Sequence, residues 1–176
     1  MKRTGAAVRL DLAVYNRHPE LKVSSTLVRR IVRAVLRDEP FLPGSCPNAT
    51  HELCLVFVAA AEIEELNRRW LGHTGTTDVI AFDYRGDRAG DSLPLKGDIV
   101  VCLDEAKRQA RRFRTKWQFE VVRYLLHGLL HLRGYVDSDP QERRRMRTAE
   151  NKLLKKLSDR FDLCQVVART SAGQCE

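Results

Sequence analysis

The chain has 176 residues and 43% hydrophobic content, and its 31 Lys and Arg against 23 Asp and Glu give a formal charge of +8. That length supports one domain with a real core, and that charge favours a polyanionic partner such as RNA or DNA. No run of about 18 uninterrupted apolar residues occurs, which excludes a membrane-spanning helix, and five cysteines without C-x-x-C spacing exclude a disulfide framework or zinc knuckle.

The N-terminal residues MKRTGAAVRLDLAVYN spread charges along the segment and do not form a signal peptide, so the expected compartment is the reducing cytoplasm. Residues 8–16 alternate, with Val8, Leu10, Leu12 and Val14 on one face, as in a half-buried strand. Ser24 or Ser25 caps a helix over 26–38 whose inner face is Leu27, Val28, Ile31 and Val35. Pro40, Pro43, Gly44 and Pro47 mark a loop over 39–50. ELCLVFVAA (52–60) reads as a central strand, with Cys54 acting as a small core residue.

A helix follows, with Ile63, Leu66 and Trp70 expected inward. Its acidic start and its basic end at Arg68 and Arg69 suit the helix dipole. TDVIAFDY (77–84) and DIVVCL (98–103) read as neighbouring antiparallel strands, joined by the polar connection 85–94. Cys102 falls in the second of these as another small core residue. Asp104 is placed to cap the next helix, which carries Ala106, Ala110 and Phe113. Thr115 and Gln118 have the spacing of a capping box.

The next helix carries the chemistry. In VVRYLLHGLLHLRGYVD (121–137), His127 and His131 stand four apart in an apolar run, which stacks both imidazoles on one helix face. Gly134 supplies a helix stop, and the chain turns back to bring Asp137 six residues after His131. Taken alone, the histidine pair also fits two hydrogen-bonded core histidines. The glycine stop and the following carboxylate favour a metal site, with His127, His131 and Asp137 as ligands and one position open for water. A zinc protease is disfavoured, because Gly128 stands where its motif has the general-base Glu. Asp139-Pro140-Gln141-Glu142 then starts a last helix to about residue 160, with Met146, Leu153, Leu157 and Phe161 inward. Asp139 is a competing ligand by position, but its capping pattern gives it a structural role.

HGLLHLRGYVD resembles the signature of the YbeY family of bacterial rRNA-maturation endoribonucleases, H-G-x-L-H-L-x-G-Y-D-H. It matches at His127, Gly128, Leu130, His131, Leu132, Gly134 and Tyr135. Val136 stands where the pattern has Asp, and Asp137 where it has its third metal-binding His. LNRRWLGHTGTTDVIAFD (66–83) resembles a second block of that family at Leu66, Asn67, Thr77, Asp78, Val79 and Phe82. KGDIVVCLDEAKRQA (96–110) resembles a third. In the second block Trp70 keeps an aromatic place, while Leu71 replaces an Arg that the resemblance assigns to substrate phosphate.

The elements sum to a single α+β domain over 1–167, with four strands and about five helices, and a flexible tail over 168–176. The resemblance implies a small mixed sheet beside a helical layer, with the metal at the mouth of a cleft. It implies a single-strand-directed endoribonuclease with one Zn2+ per chain. It further implies a role in 16S rRNA 3′-end maturation and ribosome quality control, with rRNA and the small ribosomal subunit as partners. Nothing points to specificity for DNA. Candidate RNA contacts are Arg68, Arg69, His73 and Arg133, and Asp78 is a candidate support for the metal ligands. A carboxylate ligand at 137 weakens the ion as a Lewis acid, and Leu71 removes a cation, so both changes bear on catalytic competence. The alternatives are an rRNA-binding assembly factor with little nuclease activity and a metallohydrolase of another substrate.

Overall fold

The computed structural model describes residues 9–38, 50–86 and 94–169. Residues 39–49 of the expected loop over 39–50, residues 87–93 of the connection over 85–94, residues 170–176 of the expected tail, and Val8, Cys46 and Cys175 lie outside the described residues. The strands are β1 (Arg9–Asn16), β2 (Leu21–Val23), β3 (Thr50–Val58), β4 (Val79–Asp83), β5 (Lys96–Cys102) and β6 (Val167–Arg169). The helices are α1 (Ser25–Val35), α2 (Ala60–Leu66), α3 (Leu103–Phe113), α4 (Trp117–Leu132) and α5 (Pro140–Ser158).

Four strands form one mixed sheet in the order β1-β3-β5-β4. β1, β3 and β5 run parallel, and β4 runs antiparallel to β5 as expected. Period-two alternation sends β3 and β5 side chains to two faces. Leu53, Leu55, Phe57, Ile99 and Val101 join the main core under α1, α4 and α5. Val58, Val100 and Cys102 join a smaller core with Ile63 of α2 on the opposite face. Cys54 is only half-buried.

Ten of the sixteen residues of α4 are buried, which makes it the central helix of the layer rather than a surface helix with one apolar stripe. Leu125, Leu126, Leu129 and Leu130 are each at most 1% exposed. Full burial of each contributes roughly 1.5–3 kcal/mol, so α4 is firmly anchored. Gly128 lets it lie close on the sheet, since a Cβ there would meet Ile99 Cγ2 at 2.5 Å and Val79 Cγ2 at 3.2 Å.

Several local expectations are corrected by tertiary structure. Trp70 is 61% exposed, because the chain after α2 widens into a π-helical turn, Asn67–Leu71, which shifts the helical phase and turns the indole outward against the edge of Phe82. Phe113 keeps the register of Ala106 and Ala110 but is 63% exposed, because α3 overhangs a cleft at its end. Asp104 does not cap α3. Cys102 is the N-cap there, while Asp104 accepts from the backbone N–H of Ala60 at 2.9 Å and so caps α2 instead. The Thr115–Gln118 box does not form. The N-cap of α4 is Lys116, and the Thr115 hydroxyl donates to Glu120 at 2.9 Å. The expected tail begins too early, since Ala168 pairs with Lys22 in the two-stranded β2–β6 ribbon. No helix among the described residues is long and apolar enough to cross a membrane.

Candidate metal centre

The C-terminus of α4 builds one side of the site. Gly134 adopts φ 91° and ends the helix. Its N–H bonds to the His131 carbonyl, and the Tyr135 N–H bonds to the Leu130 carbonyl, the paired pattern of a Schellman motif. That turn places the Tyr135 carbonyl 3.0 Å from Nδ1 of His131. On the neighbouring helix, Asp139 caps α5 by accepting from the N–H groups of Gln141 and Glu142 at 2.7 and 3.0 Å. Between the two helix ends, the Asp137 carbonyl accepts from Arg143 at 2.9 Å. The sequence signals for the Gly134 stop and the Asp139 cap are both realised.

His127, His131 and Asp137 converge, with ligand atoms all within 4.8 Å of one another. The two Nε2 atoms are 2.9 Å apart, and His127 Nε2 lies 3.9 Å from Asp137 Oδ2. An ion about 2.1 Å from each ligand allows ligand separations up to about 4.2 Å. Both measured separations fit, and the 51%-exposed Asp137 side chain has room to close the third.

The outer ring atoms say what sits between the inner ones. A carbonyl only accepts, so His131 Nδ1 carries the proton it shares with Tyr135. His127 Nδ1 donates to the buried carboxylate of Glu150 at 2.6 Å. In their neutral forms both rings then turn an Nε2 lone pair toward the other. Two lone pairs at 2.9 Å require a positive charge between them, whether a proton or a metal ion. This donor set fits a divalent metal, and Glu150 and the Tyr135 carbonyl fix the ring tautomers that such an ion needs.

The electrostatics agree. Burial opposes charging of His127, but the hydrogen bond and charge of Glu150, with Asp78 and Asp137, outweigh it and raise its pKa above the usual range. His131 is lowered by burial and by the neighbouring His127. Glu150, which holds His127, is the candidate site residue that the sequence reading missed. Its one signal was a carboxylate in the inward stripe of Met146, Leu153 and Leu157.

The site opens into a cleft of about 480 Å³. Asp78 lines it, as does His127, but the Asp78 carboxylate accepts from its neighbours Thr77 and Val79 at 3.2 and 3.0 Å. It acts on the two histidines through its charge. The basic residues chosen from the sequence lie elsewhere. Arg133 is only 6% exposed, because the capped end of α4 is packed into the core, so it is not a surface contact for RNA. Arg68 is held by Glu65 at 2.7 Å on the π turn. Arg69 stacks over Trp70, His73 follows the turn, and none of the three lines the cleft. The cations that do line it are Arg123, Arg143 and Arg147.

Residues 13–158 match the sequence profile of the family described as Endoribonuclease YbeY. The chain belongs to the YbeY family. The Endoribonuclease YbeY of Chlorobium luteolum is 33% identical over 140 residues, covering 78% of this chain and 98% of that protein. That of Bacteroides thetaiotaomicron is 40% identical over 104 residues, covering 58% of this chain and 72% of that protein. A solution structure of a Thermotoga maritima protein superposes with a TM-score of 0.57 at 20% identity, covering 85% of this chain and 90% of that one. At that identity the likeness is one of fold.

Proposed function

We propose that this chain is a metal-dependent, single-strand-directed endoribonuclease acting in 16S rRNA 3′-end maturation and ribosome quality control. The observation that carries the reading is the convergence of His127 Nε2, His131 Nε2 and Asp137 beside a cleft that His127 and Asp137 line, in a chain of the YbeY family. Two imidazoles and one carboxylate favour zinc, one ion per chain, over harder ions. A bound divalent ion would activate a water for hydrolysis and offset charge on the phosphoryl group.

The chain's own residues do the rest. Glu150 and the Tyr135 carbonyl hold the two rings with Nε2 toward the ion. Arg143 ties down the turn that presents Asp137. Arg147 of α5 offers a guanidinium group to phosphate, while Arg123 of α4 is held at the cleft wall by Glu120 and Asn151. Arg69 and His73 stand as outer contacts for a longer strand. Gly128 packs on the sheet, so a base at the zinc-protease position is absent, in keeping with a phosphodiester rather than a peptide substrate. The carboxylate at 137 lowers the Lewis acidity of the ion relative to a third imidazole. The rRNA of the small subunit, in the cytoplasm, is the expected substrate.

The test is cleavage of single-stranded and duplex RNA by wild type and His131→Ala, with zinc supplied and with chelator. The reading expects endonucleolytic products from the single strand with zinc, and none from the variant or after chelation. RNA binding without cleavage under any divalent metal would overturn it in favour of an assembly factor.

A further inference from the structure

We infer that single-stranded RNA leaves the metal cleft over Phe113 and runs into a second, basic groove lined by Lys107, Arg111 and Arg114. The inference rests on the endoribonuclease reading above and names where that site takes hold of its substrate.

The metal cleft is a poor source of affinity for a polyanion. Its lining carries four carboxylates, Asp78, Glu120, Asp137 and Glu150, against the three guanidinium groups named above. A divalent ion tips that balance only locally. The neighbouring groove, about 670 Å³, has the opposite character. Lys107, Arg111 and Arg114 line it, and among the described residues no carboxylate does.

The two sites adjoin at the α3–α4 connection. Thr115 lines both. Phe113 stands on the cleft wall beside it, 63% exposed, with the Arg112 guanidinium 5.4 Å from its ring centroid. Inside the groove, Lys107 Nζ lies 5.6 Å from the ring centroid of Trp117. One cation–aromatic pair on the cleft wall and another in the groove suit a single strand, which places phosphates on cations and bases against rings. Arg114 adopts φ 54°, a left-handed conformation that ends α3 and turns the chain sharply between the two sites.

The test measures binding apart from cleavage. The probe is a labelled, nuclease-resistant 2′-O-methyl phosphorothioate RNA of about twelve nucleotides. Its affinity for the full chain is read by fluorescence anisotropy across a salt series. The pair Lys107→Gln with Arg111→Gln should weaken binding roughly tenfold and flatten the salt slope by about 1.4, since each lost single-strand phosphate contact removes about 0.7. Phe113→Ala should weaken binding roughly tenfold with the slope unchanged. The same charge loss at exposed Arg33 and Arg37, both to Gln, should change neither.

Wild-type affinity in the groove variant overturns the path, as does an equal loss in the Arg33 and Arg37 control, or no binding by wild type. The two readings separate cleanly. Binding that depends on the groove, with no cleavage by wild type, sinks the nuclease reading and upholds the path. Cleavage by wild type with full affinity in the groove variant upholds the nuclease and sinks the path.

Discussion

Glu150 on α5 accepts the Nδ1–H of His127 on α4 at 2.6 Å, so the geometry of the candidate metal site depends on how two helices pack. Loss of such a support typically costs ten- to a hundredfold in metal affinity. Glu150→Gln, which keeps an acceptor but removes the charge, should weaken zinc binding about tenfold. Glu150→Ala should approach a hundredfold. Competition with a chromogenic chelator measures both. Unchanged affinity in Glu150→Ala would mean that His127 is oriented by α4 alone.

Asp137 and Asp139 are two residues apart and have different tasks. Asp137→Ala should lower metal content, while Asp137→His should keep it, as read by elemental analysis of protein purified without a histidine tag. Asp139→Ala should leave metal content intact and cost about 1 kcal/mol of stability, the usual loss for an N-cap. A loss of metal in Asp139→Ala with none in Asp137→Ala would exchange their roles.

His51 makes stability depend on pH away from the metal site. It is 1% exposed, and its Nδ1 accepts from the Leu95 N–H at 3.0 Å. Burial first, then the charges of Arg133 and Arg85, lower its pKa below the ordinary 6.5. The folded state therefore binds fewer protons there than the unfolded state. Its contribution to stability is complete above the unfolded-state pKa and is lost as pH falls through the lower folded-state value. His51→Asn keeps an acceptor for Leu95 without a titrating ring. Thermal unfolding at about pH 7.5 and about pH 5.5 should show a smaller drop in this variant than in wild type. Equal drops would assign the dependence to other groups.

Leu71 is 48% exposed at the end of the π turn. Leu71→Arg should leave stability within about 0.5 kcal/mol, as for most surface substitutions. It should raise the cleavage rate on single-stranded RNA if a cation at this place reaches substrate phosphate. A rate equal to wild type would show that the cleft arginines suffice.

The signals legible in the sequence were the local ones. The four-residue spacing of His127 and His131, the glycine stop at 134 and the Asp139-Pro140 start each depend on a few consecutive residues, and the structure forms that helix, that stop and that cap. The α+β class and the antiparallel β4–β5 pair followed from alternation and order. What stayed hidden depends on contacts between distant segments. Asp104 has a good capping pattern for α3, yet its carboxylate serves Ala60, 44 residues away. Trp70 leaves the core because of one widened turn, and Phe113 stands exposed on the wall of the cleft. Arg133 looked like a surface cation beside the motif, yet it is buried because the last turn of α4 is. Glu150 lies 23 residues from the histidine it orients, and no local pattern joins them.

Gly128 sets a boundary on what this scaffold can become. The position next to His127 is the one from which a zinc protease takes its base, and here it faces the sheet, with no room for even a methyl group. Any side chain there must push Ile99 of β5 and Val79 of β4 aside or lift the helix that carries both histidines. Substitution at that position would therefore disturb the packing beneath the centre rather than add a base to it. New chemistry on this fold has to enter from the open rim of the cleft, where the surroundings of the site are free to vary.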